Sequence, residues 1–359
     1  MDRCTKCILT ENVPGTKINN EGLCNRCEKG NEYHPIGEKK LIKHFNKAKR
    51  KNRIYNALVP LSGGKDSTFI LYLATKVYNL KVLTYTYDNG FFSELALKNI
   101  NSALRITGVD HIFVKPSQTL LKKVYRNTLL KSGEICGICG IGIMNSMLKI
   151  SETYKIPLIL LGHSPLENDS FTPENIYDTV RLKYFLNKSN ELTREDLKRF
   201  LIYWHQNYFT NYFFTKTGRF GKKIDPLFYI KNPTDTEMGE IIAKEMGWED
   251  SKSSGYTKHF DCMAEPFSNY IREHRFGYSR RIVQLSTMIR NKEISREQAL
   301  DIYKNDNLQN KPVNIEFVKN SLSLSDEDIQ TIVSIKPLAY EDKVSKANIV
   351  FGKLRKIIK

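Results

Sequence analysis

The stretch Ile54-Tyr55-Asn56-Ala57-Leu58-Val59-Pro60-Leu61-Ser62-Gly63-Gly64-Lys65-Asp66-Ser67 decides how the chain is read. Ile54 to Leu61 is a short β-prone run that stops at two glycines. From about Asp66 to Tyr78, Phe69, Ile70, Leu73 and Val77 recur at helical spacing, which predicts a helix with one apolar face. Strand, glycine loop and helix in that order build an anion site from backbone alone. Glycines without Cβ let N–H groups close around phosphate oxygens, and the helix N-terminus adds the positive end of its dipole. Lys65 adds a charge, while Ser62 and Ser67 offer hydroxyl donors. Asp66 is out of place in a plain anion site, but it fits one where Mg²⁺ bridges the phosphates. The span is shorter than the common GxxxxGK[ST] loop, so this is a different phosphate cradle.

Working outward, Leu80–Tyr87 reads as a second strand ending in the turn Asp88-Asn89-Gly90. Val109–Lys115 and Pro157–Gly162 read as further strands, the last leading into His163, with helical stretches between them. Such alternation implies parallel βαβ units, hence a doubly wound α/β sheet with helices on both faces. Ligands of such sheets bind at the carboxyl ends of the strands. The glycine loop, Asp88-Asn89-Gly90 and Gly162-His163 are therefore predicted to meet at one edge. From about 174 to 228 the pattern turns helical and aromatic, with Tyr203, Trp204, Tyr208, Phe209, Tyr212, Phe213 and Phe214. It reads as an insertion with an aromatic core or as a substrate lid. The expected organisation is a cysteine knuckle (1–30), a basic linker helix (31–53), the loop-bearing domain with its insertion (54–250) and a polar helical C-terminal region (251–359).

With 359 residues, 40% of them hydrophobic, the chain can bury a sizeable core. No apolar run approaches the ~18 residues a membrane span requires. Met1-Asp2-Arg3-Cys4 lacks the basic-then-apolar pattern of a secretory signal, so a cytoplasmic location and no membrane partner are expected. The net charge of +17 fits either a lysine-covered surface or a polyanionic partner. Between Lys39 and Arg53 stand eight lysines or arginines and no acid. Leu41, Ile42, Phe45 and Ala48 recur there at helical spacing, predicting a basic amphipathic helix. Arg272, Arg275, Arg280 and Arg281 read as a phosphate contact or as a solvated helix face.

The seven cysteines sort into two sets. Cys4-x2-Cys7 and Cys24-x2-Cys27, sixteen residues apart, have the spacing of a structural tetrahedral Zn²⁺ site, and Gly22 suits the turn before the second pair. Thirty residues with little apolar content need such a metal to hold together. Cys136, Cys139 and the distant Cys262 are a separate question. They are three small buried residues, or three thiolates for a [4Fe–4S] cluster with one iron open, or a pair that passes a persulfide and resolves it as a disulfide.

Ser-Gly-Gly-Lys-Asp-Ser resembles the pyrophosphatase loop of the adenine nucleotide α-hydrolase-like superfamily, the PP-loop ATP pyrophosphatases. Those enzymes split ATP between its α and β phosphates and adenylate an oxygen, which nitrogen or sulfur then displaces together with AMP. The resemblance implies that Ser62, Gly63, Gly64, Lys65, Asp66 and Ser67 hold pyrophosphate and Mg²⁺, and that Asp88 and Asn89 approach the nucleotide. Gly162 and His163 resemble the family's later Gly-His element, although Ser164-Pro165-Leu166 separates them from Glu167 and Asp169. A CxxC after the third helix with a later cysteine is similar to transfer-RNA thiolation enzymes of this superfamily. That likeness implies chemistry at Cys136, Cys139, Cys262 and Asp66. The overall layout resembles the N-acetyl sugar amidotransferases of surface polysaccharide pathways. It is carried by Gly22-Leu23-Cys24-Asn25, Tyr87-Asp88-Asn89-Gly90-Phe91, Ser93-Glu94-Leu95-Ala96, Gly247-Trp248, Lys258-His259, and Leu285–Ile289 running to Ser295–Leu300. Those enzymes take ammonia from a partner glutaminase, and the central CxxC and Cys262 depart from their pattern. Three expectations follow. The foremost is an enzyme that puts sulfur from a donor protein on a small-molecule or carrier-bound carbonyl. The others are an amidotransferase acting on a nucleotide sugar and a tRNA 2-thiolation enzyme. A homodimer is the expected assembly.

Overall fold

The computed structural model describes residues 3–30, 34–164, 178–187, 189, 191–200, 208–231, 233–251, 261–306, 308–338, 342–344, 346 and 349–350. The strands are β1 (Ala57–Pro60), β2 (Val82–Tyr87), β3 (Asp110–Val114), β4 (Leu158–Leu160) and β5 (Lys222–Ile224). The helices up to the last strand are α1 (Asn25–Lys29), α2 (Glu38–Lys49), α3 (Lys65–Tyr72), α4 (Glu94–Thr107), α5 (Gln118–Ser132), α6 (Cys136–Thr153), α7 (Thr179–Leu186), α8 (Arg194–Phe200) and α9 (Tyr208–Lys216). After it come α10 (Asp235–Met246), α11 (Glu265–Phe276), α12 (Arg280–Arg290), α13 (Arg296–Asp306), α14 (Ile315–Leu322) and α15 (Asp326–Ser334).

All five strands are parallel, in the order β3-β2-β1-β4-β5. The strand order reverses at β1, and a doubly wound sheet opens a ligand crevice at such a point. Sequence chemistry widens it. β1 and β2 stay in register as far as Pro60↔Tyr85, whereas β1 and β4 pair only through Leu58↔Ile159. Pro60 has no N–H to donate, so nothing prolongs the ladder towards β4.

Period-two alternation assigns the two faces. Ala57, Val59, Val82, Leu158 and Leu160 pack with Leu41 and Phe45 of α2, Phe69 and Ile70 of α3, Ile100 of α4 and Ile242 of α10. Leu58, Leu83, Tyr85, Tyr87 and Ile159 pack on Met147 and Ile150 of α6. A further apolar cluster joins α5, α6 and α7 to α11, α14 and α15, and another sets the N-terminal cysteines against α12 and α13.

Three local readings change. The helix after the loop ends in a π turn at Leu73–Val77, where the Tyr78 N–H reaches back to the Leu73 carbonyl at 2.9 Å and the Thr75 hydroxyl takes the Leu71 carbonyl. The wider turn rotates the apolar face, burying Ala74 and leaving Val77 exposed. The region expected to be helical as far as 228 contains β5, a short charged strand whose pairing comes entirely from β4. Tyr212 and Phe213 are exposed, so they form no core. Tyr203 and Trp204, and the side chains of Tyr208 and Phe209, lie outside the described residues.

Three of the four arginines read as a phosphate contact or a solvated face are neither. Arg272, Arg275 and Arg281 are buried. Arg272 meets both carboxylate oxygens of Glu134 at 3.2 and 3.1 Å, Arg275 caps the Gly133 and Ile335 carbonyls, and Arg281 pairs with Asp306 at 2.5 Å. Burial alone would raise the Glu134 carboxyl, but Arg272 and Arg280 hold it below its usual range. Its contribution to stability is thus present above the ordinary carboxylate pKa and lost as pH falls through the depressed folded value. Arg272→Met strands a buried carboxylate and is expected to cost about 3 kcal/mol at neutral pH. The loss will show as a lower midpoint in urea unfolding, and the gap to wild type will narrow in acid, where Glu134 protonates.

Candidate active site

The loop after β1 is shaped from outside. Gly63 has φ +80°, and a Cβ there would lie 2.2 Å from the Ala96 carbonyl oxygen, so only glycine fits. Its own carbonyl accepts from Trp248 Nε1 at 3.0 Å and Asn99 Nδ2 at 3.3 Å. Asn99 also exchanges two hydrogen bonds with the backbone of Glu249. The Ser62 and Gly64 N–H groups are held by the Ser67 and Ser62 hydroxyls at 3.2 and 3.3 Å, and α3 begins at Lys65 with its first donors unpaired within the helix. Ser62 and Ser67 bond each other across the loop at 3.2 Å, and Ser67 also donates to the Gly64 carbonyl.

Lys65 is buried between Asp66 Oδ1 at 3.0 Å and Asp235 Oδ1 at 2.5 Å. Among the described residues Asp66 Oδ1 has no hydrogen-bond partner besides that ammonium. Carboxylate oxygen beside a phosphate cradle is the hard donor that Mg²⁺ takes, so Asp66 fits as its protein ligand. Gly162 lies against this residue, since a Cβ on it would stand 3.2 Å from Asp66 Cβ. His163 follows, exposed, with Nδ1 2.7 Å from Asp225 Oδ1 just beyond β5.

The turn after β2 leads to the second set of cysteines. Asp88 Oδ1 accepts from the Gly90 N–H, and Asn89 Oδ1 accepts from the Phe91 N–H, fixing the Asn89 amide. Its Nδ2 then points to Cys139 Sγ at 3.6 Å and to Cys262 Sγ at 3.8 Å. Cys262 arrives there because residues 261–263 pair with 91–93: Phe92 and Cys262 form an antiparallel bridge, and the Met263 N–H donates to the Phe91 carbonyl at 2.7 Å. Cys136 sits one turn before Cys139 at the N-terminus of α6, its N–H on Glu134 and its Sγ 3.2 Å from the Ser268 hydroxyl of α11. Burial pushes the Cys139 thiol up to about 11, against the hydrogen bonds from Asn89 and Tyr125. Burial raises Cys262 further. Cys136 and Cys139 in the first turn of α6, with Cys262 brought beside Cys139 by the Asn89 amide, are three thiols of the kind that hold a [4Fe–4S] cluster. Asp261 links the two sites, with its Oδ2 3.2 Å from where a Gly64 Cβ would be.

Cys4, Cys7, Cys24 and Cys27 are buried with all four sulfurs within 4.8 Å of one another. Tetrahedral Zn²⁺ with bonds of about 2.3 Å sets its sulfurs about 3.8 Å apart, and Cys7 and Cys24 stand at 3.7 Å. The N–H groups of Cys7 and Cys24 donate to Cys4 Sγ, and Arg296 of α13 caps the Cys4 and Cys7 carbonyls. The neighbouring Cys24 thiol and burial push Cys7 up to about 11, a penalty that a bound dication removes. Gly22 turns at φ +77° beside Thr5.

Residues 253–351 match the family model described as LPS biosynthesis protein WbpG-like, C-terminal domain. This segment includes Lys258-His259, Leu285–Ile289 and Ser295–Leu300, which carry the amidotransferase resemblance. A stretch of 166 residues is 24% identical to the uncharacterized protein MJ1599 of Methanocaldococcus jannaschii, covering 45% of this chain and 58% of that protein. The chain thus spans little more than half the length of that relative. Among solved structures, it is similar to the U34-tRNA thiolase NcsA from Methanococcus maripaludis with its [4Fe–4S] cluster, at 18% identity and a TM-score of 0.34, over 94% of this chain and 90% of that one. It is also similar to NMN synthetase from Francisella tularensis, at 13% identity and a TM-score of 0.31, over 60% and 86%. Glutamine-dependent NAD+ synthetase from Acinetobacter baumannii in complex with ADP is matched at 11% identity and a TM-score of 0.30, over 93% and 54%.

Every cysteine and loop residue singled out in the sequence lies in the described regions, whereas Glu167, Asp169, Lys258 and His259 lie outside them. The structure adds residues that sequence reasoning passed over. Asp225 and Asp235 stand 62 and 170 positions from their partners, and no local pattern announces either. Asp261 adjoins Cys262, and no local pattern marks it. Asn89, expected from its resemblance to approach a nucleotide, is placed against sulfur. Gly63→Ala drives a methyl into the Ala96 carbonyl and is expected to abolish ATP binding while leaving the far-UV circular dichroism unchanged. Equilibrium dialysis with labelled ATP checks this.

Proposed function

We propose that this chain is an ATP-dependent sulfurtransferase that activates a carbonyl or amide oxygen on a small-molecule or carrier-bound acceptor. We base this on one observation: Asn89, at the end of β2, gathers Cys139 and Cys262 beside the phosphate loop, with Asp261 spanning the gap. The acceptor oxygen attacks the α-phosphorus of ATP and pyrophosphate leaves. The first N–H groups of α3 and its dipole offset the charge that develops on the departing phosphates. Asp66 would hold Mg²⁺ there, and Lys65 is pinned by Asp235 to keep Asp66 in place. Sulfide then adds to the activated carbon, the C–O bond breaks and AMP departs with the oxygen, with no net redox change. Cys136, Cys139 and Cys262 would hold a [4Fe–4S] cluster, which would offer one iron without a protein thiolate to bind inorganic sulfide.

A second reading has an observation of its own. The WbpG-like match over 253–351 favours an amidotransferase in surface polysaccharide synthesis, with ammonia as the incoming nucleophile and an acetamido sugar nucleotide as acceptor. The two are separated by supplying ATP with ³⁵S-sulfide or ¹⁵N-ammonium to a cell extract of small molecules, with UDP-N-acetylglucosamine as a defined probe. Sulfur transfer predicts ³⁵S in a product formed in step with AMP, and a loss of more than about 100-fold in Cys139→Ser. Incorporation of ¹⁵N that persists with all three cysteines changed to serine would establish nitrogen transfer instead.

A further inference from the structure

Tyr87 closes β2, and its side chain crosses to the helix that carries Cys136 and Cys139. The residue is 7% exposed, and its hydroxyl is buried without a hydrogen-bond partner among the described residues. Gly142 makes its placement possible, because a Cβ there would lie 2.3 Å from the hydroxyl and 2.4 Å from Cζ. Gly142 is three residues beyond Cys139 on α6, so the phenol stands one turn along the face that carries both thiols. Another donor already faces these sulfurs, the Asn89 amide on Cys139 and Cys262. A buried hydroxyl left unpaired costs about 1–3 kcal/mol, and phenylalanine would give the same packing without that cost. The feature makes sense if something absent from the polypeptide accepts the proton of this hydroxyl.

We infer that the Tyr87 hydroxyl donates a hydrogen bond to a non-protein sulfur atom held at Cys136, Cys139 and Cys262, and that Gly142 is glycine to admit it. The inference rests on the sulfur-transfer reading. Two sulfurs have this chemistry: an inorganic sulfide of the cluster, and the incoming sulfide on its way to the activated carbon. Either is soft, anionic and satisfied by a phenol, which is protonated at neutral pH and stays a donor. Hydrogen bonds to cluster sulfur raise the reduction potential, so the first source predicts an electronic effect and the second an affinity effect.

The test is Tyr87→Phe in the full chain. Before reconstitution, the variant should be at least as heat-stable as wild type, because it loses an unpaired buried hydroxyl and no contact. A clear fall in melting temperature would mean that the hydroxyl has a protein partner, and would overturn the inference. After anaerobic reconstitution with iron and sulfide, a more negative potential in redox titration followed by electron paramagnetic resonance assigns the bond to cluster sulfide. An unchanged potential with sulfide affinity weakened about fivefold, the equivalent of one hydrogen bond of about 1 kcal/mol, assigns it to the incoming sulfide. Reconstituted variant and wild type with the same potential and the same sulfide affinity would overturn the inference and leave sulfur transfer intact. A wild type that takes up no iron would overturn both. Gly142→Ala gives an independent check. Its methyl displaces the phenol, so it should reproduce the Tyr87→Phe change in the holoprotein while also lowering apoprotein stability.

Discussion

Pairing of residues 91–93 with 261–263 is the constraint on which the candidate site depends. The bridge between Phe92 and Cys262 is made by backbone groups 170 positions apart in sequence, and it brings a C-terminal segment to the carboxyl edge of the sheet. Without it Cys262 has no reason to meet Cys139, and Asp261 would not reach Gly64. The same stretch then enters α11, whose Ser268 and Arg272 fix Cys136 directly and through Glu134. One short pairing thus sets the position of all three sulfurs relative to the glycine loop.

The rest of the C-terminal region supports that junction. Its buried arginines each spend their charge on a carboxylate or on backbone carbonyls of neighbouring elements, which gives angular precision that apolar packing alone does not. At the other end, the N-terminal knuckle closes the outer side of α12 and α13, with Arg296 capping the carbonyls of two of its cysteines. The four-cysteine knuckle therefore packs on α12 and α13 of the C-terminal helical region, although it is built from the far end of the chain.

How much was legible in the sequence depended on the range of the interaction. Strand and helix alternation is local chemistry, so the parallel sheet, the glycine loop and the knuckle could be read from spacing. The sequence also pointed to the edge where loop, Asp88-Asn89-Gly90 and Gly162-His163 meet, because the rule for such sheets is topological. Illegible features were those settled by partners. The charged β5 becomes a strand only by pairing with β4, and the π turn after α3 depends on a side-chain hydroxyl bonding one carbonyl. The arginines looked like surface because arginine is seldom buried, and Glu134, which neutralises Arg272, lies 138 positions away. Tyr87 and Gly142 were invisible for the same reason: neither is unusual until they are in contact.

In the sulfur-transfer proposal, Cys136, Cys139 and Cys262 form a sulfur centre distinct from the knuckle. Metal and acid-labile sulfide analysis of protein purified without oxygen tests it most directly. The account predicts one zinc that follows Cys4, Cys7, Cys24 and Cys27, together with about four iron and four sulfide that follow the other three cysteines. Changing those three to serine should remove the iron and leave the zinc. Protein that holds zinc alone, and whose ATP-driven transfer is unimpaired by the three serines, would contradict it.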